Sequence, residues 1–481
     1  MHKFDTRVQN IKHNILKEVA REEFAGTLQE SLLDLPERIQ PGRKATTRCC
    51  VYKERAIVKE RIKIAMGKGD HVIQVIDIAC DECPMTGYEV TDLCRGCLAH
   101  RCEAACRFGC ISFDENMRAH IDKTKCKNCG ACSKACPFNA IRNYKRPCAS
   151  ACKADAIGVD EYGACSIDYN KCVSCGSCVY HCPFGAIADR SMILKVVDMI
   201  KDVEAGKDET IIAVIAPALP SQFVYAKQGQ VIEAILKVGF TGVIEAALGA
   251  DIVTRKESEE LAEKGFLTSS CCPAFVKYIK TQFPDLAEHI SSNFSPMAEI
   301  CKYIKKQGPK CKTVFIGPCT AKKMEVEYPE VAKYVDAVMT FEELQALFKA
   351  RGIDPRDIQE ESYLEDASKF GRTFARVGGL TEAVVEAIKE FDIDFEAKAV
   401  VCSGLEECKV ALLKKSKGLL DANFIEGMAC EGGCVNGAGC LTHGVQNKVL
   451  VERIANAAGS KTINEILEPL NIDFSEPHEH N

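Results

Sequence analysis

The chain has 481 residues, of which 47% are hydrophobic and 27% charged, a composition typical of folded globular domains rather than of disordered or fibrous proteins. The 62 Lys and Arg against 68 Asp and Glu give a net charge of −6, so the composition offers no broad attraction for nucleic acid or for an anionic membrane. No run of 18 apolar residues is present, and we expect no membrane-spanning helix and no membrane partner.

The cysteines are the most unusual feature of the composition. The start of the chain has neither an apolar run nor a small-residue cleavage site, so we expect no secretory signal and a cytoplasmic, reducing location. In such a compartment the 30 cysteines would bind metal rather than form disulfides. Twenty of them lie in residues 1–182 and ten in the remaining 299, which predicts a domain boundary near residue 190.

Four regions follow one another along the chain. Residues 1–75 predict a charged helical region with periodic apolar positions. Residues 76–190 carry the cysteine motifs and predict a loop-rich region held together by metal. In residues 191–455, short apolar runs such as IIAVIA and KTVFIG alternate with helix-like segments, which predicts parallel sheets in an α/β domain. Residues 456–481 form a tail without a site signal, whose EPHEH ending is expected to be solvated.

Two segments of the cysteine-rich region match the bacterial [4Fe–4S] pattern. Three thiolates on a tight turn can bind three irons of one cubane, and the fourth cysteine, which precedes proline, usually binds the neighbouring cluster. Zinc ribbons also use CxxC pairs, but two full four-cysteine runs ending in Cys-Pro-Phe favour iron–sulfur clusters. The two runs are Cys126, Cys129, Cys132 and Cys136, and then Cys172, Cys175, Cys178 and Cys182.

Three further groups are less regular: a loosened version of the motif, a pair that looks like the second half of one, and an isolated CxxC. All sixteen cysteines would suffice for four cubanes, but three clusters with spare thiols is an alternative, and the pairing does not follow from sequence. A row of cubanes is most simply a path for electrons, although one outlying cluster could be structural. The three groups are Cys94, Cys97, Cys102 and Cys106, then Cys148 and Cys152, and then Cys80 and Cys83.

Four of the twenty cysteines in residues 1–182 lie outside the motifs. We expect Cys110 and Cys165 to be small buried packing residues, whereas Cys49 and Cys50 could be packing residues or ligands.

Three cysteine-bearing segments farther along fit no ferredoxin pattern: Thr268–Pro273, Gly317–Glu325 and Glu426–Cys434. In this order, behind the cysteine motifs, they resemble the signature segments of the [FeFe]-hydrogenases, and the resemblance covers about residues 90–450. It implies ferredoxin-like [4Fe–4S] domains followed by a two-lobed α/β domain that binds an H-cluster. This cofactor is a cubane joined through one cysteine to a diiron centre with CO, cyanide and azadithiolate, in addition to three or four upstream clusters.

The resemblance also implies roles for individual residues around the H-cluster. Lys322 would lie beside a cyanide ligand and form a charge-assisted hydrogen bond, although it could also be a solvated lysine. Met428 and Phe374 would line the diiron pocket, or could be plain core residues. The cubane would be held by Cys272, Cys319, Cys430 and Cys434, with the last one bridging to the diiron unit.

A buried diiron site needs titratable groups that lead protons out to solvent. Cys271 precedes a ligand, and its thiol could exchange protons near neutral pH if its surroundings lower its pKa. Glu257 and Glu260 lie in a charge-rich helix and could instead be a solvated face, and Ser291 could be a helix cap. The relay that the resemblance implies runs from Cys271 through Glu257, Ser291, Glu260 and Glu325.

Three positions depart from the best-known hydrogenases. Gly317 replaces a usual methionine, Ala218 a usual serine and Met297 a usual glutamine. These departures resemble a divergent clostridial-type group. We expect them to change contacts around the diiron ligands, and so turnover and catalytic direction rather than cofactor identity.

The implied activity is that of a ferredoxin hydrogenase, an oxidoreductase that catalyses 2H⁺ + 2e⁻ ⇌ H₂. The partners would be ferredoxin or a similar soluble electron carrier and the H-cluster maturation proteins, with no nucleic acid. The alternatives are a hydrogenase-related iron–sulfur assembly or scaffold protein, which would lose the diiron pocket and relay, and a hydrogen sensor, although no signalling domain is evident. No strand is followed by GxGxxG, so we expect no nicotinamide site.

Overall fold

The computed structural model describes residues 4–84, 86–207, 210–457, 459, 461–472 and 474. Helices make up the N-terminal region, as the sequence predicts. The longest of them begins at a capping box, in which the Thr6 hydroxyl accepts a hydrogen bond from the amide of Gln9, and ends at Gly26 in the left-handed conformation. The helices are α1 (Arg7–Ala25), α2 (Leu28–Ser31), α3 (Leu35–Ile39) and α4 (Val51–Ala65).

Two ferredoxin-like units follow, each with two antiparallel strand pairs and two short helices. The inner unit comprises residues 72–84 and 146–190, and the outer unit, residues 86–145, is inserted into it. The strand pairs are β1 with β8 and β6 with β7 in the inner unit, and β2 with β5 and β3 with β4 in the outer unit. In chain order the elements are β1 (Ile73–Val75), β2 (Gly87–Val90), α5 (Arg101–Ala104), β3 (Ile111–Phe113), β4 (Ala119–Ile121), α6 (Ala131–Ala135), β5 (Ile141–Tyr144), α7 (Pro147–Ala151), β6 (Ile157–Val159), β7 (Cys165–Ile167), α8 (Ser177–His181) and β8 (Ile187–Asp189).

The following α/β domain contains two parallel sheets, one of four strands and one of three, as expected for two lobes. Its elements are α9 (Ile193–Glu204), β9 (Ile211–Ile215), α10 (Leu219–Gln222), α11 (Gln228–Val238), β10 (Gly242–Glu245), α12 (Ala246–Lys264), β11 (Leu267–Thr268), α13 (Pro273–Gln282), α14 (Pro296–Gln307), β12 (Lys312–Gly317), α15 (Ala321–Glu325), α16 (Pro329–Ala332), β13 (Ala337–Thr340), α17 (Phe341–Ala350), α18 (Lys369–Thr373), α19 (Gly379–Glu390), β14 (Ala399–Ser403), α20 (Leu405–Ser416), β15 (Phe424–Met428), α21 (Gln446–Ala457) and α22 (Ile463–Leu467).

The strand order is β10-β9-β12-β13 in the larger sheet and β11-β15-β14 in the smaller one. Every pair is parallel. The carboxyl ends of parallel strands meet at one edge of a sheet, and the loops that follow them commonly carry the functional groups. Cys319 follows β12 and Cys430 follows β15, so both signature segments lie at such edges.

The N-terminal helices pack onto the α/β domain rather than standing apart. Helix α1 contacts α17 and α9, and its apolar side chains Ile15, Leu16 and Val19 belong to the same buried core as the larger sheet. At the other end of the chain, Ile463 and Leu467 of α22 are buried, so the tail has a packed first part, while its EPHEH ending lies outside the described residues. In the described ranges, no helix combines the length and hydropathy that crossing a bilayer requires.

Candidate functional site

The sixteen upstream cysteines lie in four groups of four. In what we call the middle group, the amide of Cys165 donates a hydrogen bond to the sulfur of Cys80 over 3.3 Å. Burial raises the pKa of Cys80, and the nearby thiolates of Cys182 and Cys148 raise it further. Burial and the same thiolates also raise the pKa of Cys83. The middle group is therefore Cys80, Cys83, Cys148 and Cys182, which uses the isolated CxxC pair.

The proximal group joins the second ferredoxin run to a cysteine of the half motif. Burial raises the pKa of Cys175 to about 12, with contributions from the thiolates of Cys152 and Cys172. The pKa of Cys178 is raised well above its usual value by burial and by the same thiolates. The group is Cys152, Cys172, Cys175 and Cys178, and the fourth cysteine of each run serves the neighbouring group, as expected from sequence.

The outer unit repeats this exchange. Burial raises the pKa of Cys102, and the thiolates of Cys136 and Cys97 add to the shift. Burial also raises the pKa of Cys132, with the thiolates of Cys126 and Cys106 nearby. The first outer group is therefore Cys94, Cys97, Cys102 and Cys136, and the second outer group is Cys106, Cys126, Cys129 and Cys132.

Within the described ranges, no three His, Cys, Asp or Glu side chains converge closely enough to hold one metal ion. A tetrahedral zinc site would bring four thiolates to about 2.3 Å from one point. Cys110 and Cys165 are buried packing residues, as expected, and the Cys110 sulfur lies 3.2 Å from that of Cys106.

The four cysteines that the resemblance assigns to the H-cluster come together between the two lobes. Burial raises the pKa of Cys430 well above its usual value, and the thiolates of Cys319, Cys434 and Cys272 raise it further. The turn before Cys434 depends on Gly433, which has φ +97° and where a Cβ atom would lie 2.7 Å from the amide nitrogen of Val377.

The proximal group lies directly beside these four cysteines. The thiolate of Cys175 contributes to the raised pKa of Cys430. The hydroxyl of Thr320 donates a hydrogen bond to the carbonyl of Ser174 over 2.8 Å, and a Cβ atom at Gly176 would lie 2.5 Å from that hydroxyl. The hydrogen bond and this close approach thus fasten the two loops to each other.

A partly open, mainly apolar cavity of about 80 Å³ adjoins Cys434. Its lining includes Met428 and Phe374. It also includes Ala218 and Met297, two of the three positions that depart from the hydrogenase pattern. The cavity lining is Ala216, Pro217, Ala218, Ala246, Ala250, Cys271, Cys272, Pro273, Pro296, Met297, Phe315, Pro318, Cys319, Lys322, Phe374, Ala375, Met428 and Cys434.

The third departure from the hydrogenase pattern has a packing explanation. A Cβ atom at Gly317 would lie 2.6 Å from the ring of Phe315, which is too close for any larger residue unless the ring moves. Phe315 lines the cavity, so its ring fills the space at this wall that a side chain at position 317 would need.

A buried cation, the ammonium of Lys322, lies at the wall of the cavity. The ammonium of Lys322 donates hydrogen bonds to the carboxylate of Glu325 over 2.6 Å and to the carbonyl of Cys271 over 3.4 Å. Burial by itself would lower the pKa of Lys322, but Glu325 and the thiolate of Cys319 raise it, so the side chain stays charged. A thiol, a cation and a cubane cysteine around an apolar cavity are suited to a diiron centre with anionic ligands.

Glu257 and Glu260 of α12 are buried, which excludes the solvated-face alternative for these two residues. Glu257 is fully buried, and neither of its carboxylate oxygens has a hydrogen-bond partner in the part of the chain described. Burial, assisted by Glu260, raises the pKa of Glu257 to about 8. The carboxylate also lies close enough to Cys271 to raise that thiol's pKa.

A hydrogen-bonded path continues from Ser291 to the surface. The Ser291 hydroxyl donates to Glu260 over 3.0 Å, and Lys264 donates to the other oxygen of Glu260 over 2.6 Å. The amide of Asn293 donates to both Glu260 and Ser291. The side chain of Lys264 is 41% exposed, so this path reaches solvent.

Two sequence expectations about the relay need correction. Glu325 pairs with Lys322, and in the described part of the chain no hydrogen bond joins it to Glu260, Ser291 or Lys264. Burial raises the pKa of Cys271 well above its usual value instead of lowering it. Ser291 also does not cap the following helix, whose N-cap is Ser295.

Sequence reasoning missed two lysines. Lys264 follows Glu260 by four residues on the same helix, and this i, i+4 spacing of opposite charges could have indicated their ion pair. Lys323 is almost completely buried against Asp189 and Glu343, and no sequence pattern points to that long-range contact.

Comparisons with known proteins agree with this site. The family model described as "Iron only hydrogenase large subunit, C-terminal domain" matches residues 209–438, and the "4Fe-4S binding domain" matches residues 119–142 and 166–188. Iron hydrogenase 1 of Clostridium pasteurianum is 28% identical over 50% of this chain and 52% of its own length. The periplasmic [Fe] hydrogenase large subunit of Nitratidesulfovibrio vulgaris is 32% identical over 44% of this chain and 62% of its own length.

A relative of another kind is also similar. The cytosolic Fe-S cluster assembly factor NAR1 of Kluyveromyces lactis is 34% identical over 98 residues, 20% of this chain and 21% of its own length. The chain thus spans about half to three fifths of the two hydrogenases that it matches, and a fifth of the assembly factor. Residues 209–438 of the chain therefore belong to the family of iron-only hydrogenase C-terminal domains, and they follow two 4Fe–4S binding motifs.

Proposed function

We propose that this protein is an [FeFe]-hydrogenase that catalyses 2H⁺ + 2e⁻ ⇌ H₂. Electrons would come from reduced ferredoxin or a similar carrier through four [4Fe–4S] clusters. The observation that carries the proposal is what meets at one cavity: three of the four H-cluster cysteines, the charged Lys322, and the thiol of Cys271, which lies close to the buried acid Glu257.

Within this proposal, the H-cluster supplies the chemistry that makes and breaks the bond between the two hydrogen atoms. The chain's own residues hold the cluster, exclude water and move protons. Cys272, Cys319 and Cys430 would hold the cubane, and Cys434, which lines the cavity, would join both parts of the cluster. The ammonium of Lys322, fixed by Glu325, would bind an anionic ligand at the cavity wall.

Protons would move between Cys271 and the surface. Since burial raises its pKa, the thiol of Cys271 would stay protonated at rest and pass its proton as it receives another one. Glu257, with a pKa of about 8, can hold or release a proton near neutral pH. The next steps would be Ser291, Glu260 and Lys264, which are joined by hydrogen bonds.

The buried relay favours a hydrogenase over an assembly factor. A scaffold for iron–sulfur clusters needs cubane cysteines but has no use for a buried acid whose oxygens lack partners, because leaving such a group unsatisfied costs about 1–3 kcal/mol. The hydrogen sensor is a second candidate, since it would need the same cofactor. We expect the protein to act in the cytoplasm, where maturation proteins would load it.

Infrared spectroscopy of the protein, matured with the H-cluster assembly proteins, tests the proposal. We expect bands of bound CO and cyanide, and hydrogen evolution with a reduced electron donor. Absence of the bands in protein that contains its cubane iron would support the assembly factor and contradict the proposal. Bands with negligible turnover in both directions would favour the sensor.

A further inference from the structure

A buried cation beside the middle group lacks partners for most of its hydrogen-bond donors. Arg146, at the N-terminal end of α7, is only 3% exposed. Its Nη2 atom donates a hydrogen bond to the carbonyl of Gly163 over 2.6 Å. Its Nε and Nη1 atoms are buried without a hydrogen-bond partner in the described residues. A guanidinium buried in this way calls for an acceptor that the neighbouring side chains do not supply.

The closest candidates for that acceptor lie at the middle group. Arg146 precedes Cys148 by two residues, and its charge acts on three of the four thiols. Burial raises the pKa of Cys80 and of Cys83, and the charge of Arg146 opposes that rise in both. The pKa of Cys148 is lowered, mainly by a hydrogen bond from the Cys165 thiol and in part by Arg146. The unpartnered N–H groups therefore lie beside the thiols that would hold a cubane.

A second arginine acts on the remaining thiol of the group. Arg61 of α4 donates hydrogen bonds over 3.1 and 3.0 Å to the carbonyls of Phe184 and Gly185, which follow Cys182 in the chain. Burial lowers the pKa of Arg61 to about 10, and the thiolate of Cys182 acts in the opposite direction. Within the described ranges, neither Arg61 nor Arg146 forms an ion pair with a carboxylate. Two guanidinium charges thus act on the middle group.

The carboxylates nearest in sequence do not cancel these charges. Asp81 and Glu82 follow Cys80 directly, and both are exposed, so water and salt screen them. Asp81 in addition forms an ion pair with Lys53. The buried arginines act through the protein interior, where a charge has a stronger effect than in water.

The proximal group has less positive surroundings. Burial raises the pKa of Cys172, and the cation that opposes this rise is Lys277, whose side chain is partly exposed. Burial and the neighbouring thiolates raise the pKa of Cys175 and that of Cys178. Of the two groups in the inner unit, the middle one therefore stabilises added negative charge better.

We propose that Arg146 donates N–H···S hydrogen bonds to the cubane of the middle group and sets its reduction potential above that of the proximal group. Hydrogen bonds to sulfur and a buried positive charge both favour the reduced cluster, which carries one more negative charge. The middle group then holds one electron in reserve, one cluster away from the H-cluster cubane. A reserve is useful because a one-electron carrier delivers electrons singly, whereas H₂ takes two. The inference rests on the clusters of the proposed function and adds the residue that tunes them.

A redox titration of the full chain, loaded with its cubanes and followed by electron paramagnetic resonance, tests the inference. Arg146→Met removes both the charge and the donors. Arg142→Met makes the same change at an exposed position of β5 and is the matched control. Cys83→Ser and Cys172→Ser identify the signals of the middle and proximal clusters, because each variant removes a ligand of one group.

In the wild type, we expect the signal lost in Cys83→Ser to appear at a higher potential than the signal lost in Cys172→Ser. In Arg146→Met, the equilibrium constant for reduction of the middle cluster should fall about tenfold, which corresponds to about 59 mV for one electron. Arg142→Met should titrate as the wild type. If Arg146→Met loses iron, Arg146→Lys takes its place, with a smaller decrease expected, because lysine keeps the charge without the fork of donors.

An unchanged potential of the middle cluster in the Arg146 variant would overturn the inference. A wild-type proximal cluster that is reduced at or above the potential of the middle one would overturn it as well, as would a titration in which Cys83→Ser changes no signal. All three outcomes concern signals of upstream clusters. The infrared bands of CO and cyanide test the proposed function separately, so the two failures are distinguishable.

Discussion

The ammonium of Lys323 donates a hydrogen bond to the carboxylate of Asp189 over 2.8 Å, and both side chains are only 1% exposed. It donates another to Glu343 over 3.0 Å. Asp189 ends the last strand of the inner ferredoxin-like unit, whereas Lys323 directly follows the cavity lysine Lys322. The contact therefore fixes the helix that carries Lys322 against the inner ferredoxin-like unit.

Replacing Lys323 by Met should destabilise the protein strongly. The variant would leave the buried carboxylate of Glu343 without its cation and that of Asp189 with Lys12 alone, and removing the partner of a buried charge typically costs about 3–5 kcal/mol. Because the chain has no tryptophan, urea unfolding is best followed by circular dichroism. Lys333→Met, at an exposed position, is the matched control, and equal stability of the two variants would show that the contact contributes little.

The buried acid Glu257 should make stability depend on pH. The pKa of Glu257 in the folded protein is about 8, above its ordinary value of 4.5. The contribution of the protonated side chain to the free energy of unfolding is therefore complete below about pH 4.5 and is lost as pH rises to about 8. The free energy of unfolding of Glu257→Gln should therefore rise relative to that of the wild type as pH increases from about 4.5 to about 8, by about 4 kcal/mol at pH 8. Glu263→Gln, exposed on the same helix, should follow the wild type, and a flat difference for Glu257→Gln would contradict the assignment.

Cys271→Ala should separate cofactor binding from proton transfer. The thiol lines the cavity but is not among the four cysteines assigned to the cubane, so iron content and infrared bands should stay as in the wild type. Hydrogen turnover should fall by about a hundredfold or more, since a positioned proton donor is lost. Cys301→Ala, a buried cysteine of the core away from the cavity, serves as control. Turnover near the wild-type level in Cys271→Ala would show that protons take another path.

Local patterns predicted the secondary structure well where one period dominates. The run KTVFIG forms β12 over its full length, and IIAVIA forms β9 except for its last residue. Thiolate spacing likewise identified the two full ferredoxin runs. The exchange of the fourth cysteine between neighbouring groups also followed from a general rule, and Cys136 and Cys182 each lie at the end of a short helix rather than at its start.

Long-range contacts could not be predicted in this way. The pairing of Cys80 and Cys83 with Cys148 and Cys182 depends on the insertion of the outer unit between them, which spacing alone does not reveal. The orientation of Glu325 toward Lys322 is a choice between two nearby partners that only the fold decides. The packing of α1 into the α/β core was missed for the same reason, since its amphipathic pattern does not say which surface covers it.

The middle group gives the sharpest test of the cluster arrangement. With four upstream cubanes and an H-cluster, the iron content should be about 22 per chain. Cys83→Ser removes one ligand of the middle group and should lower the iron content by up to about four per chain, whereas Cys110→Ser, at a packing cysteine, should keep the full iron content.

The middle group connects the two units, because the outer unit is inserted between Cys83 and Cys148. Cys148 also contributes to the raised pKa of Cys178 in the proximal group. Electron transfer from a reduced one-electron carrier such as flavodoxin to the H-cluster should therefore slow in Cys83→Ser, while the infrared bands of CO and cyanide should remain as in the wild type. Full iron in Cys83→Ser, or one zinc per chain in the wild type, would show that this group holds no cubane in the electron path.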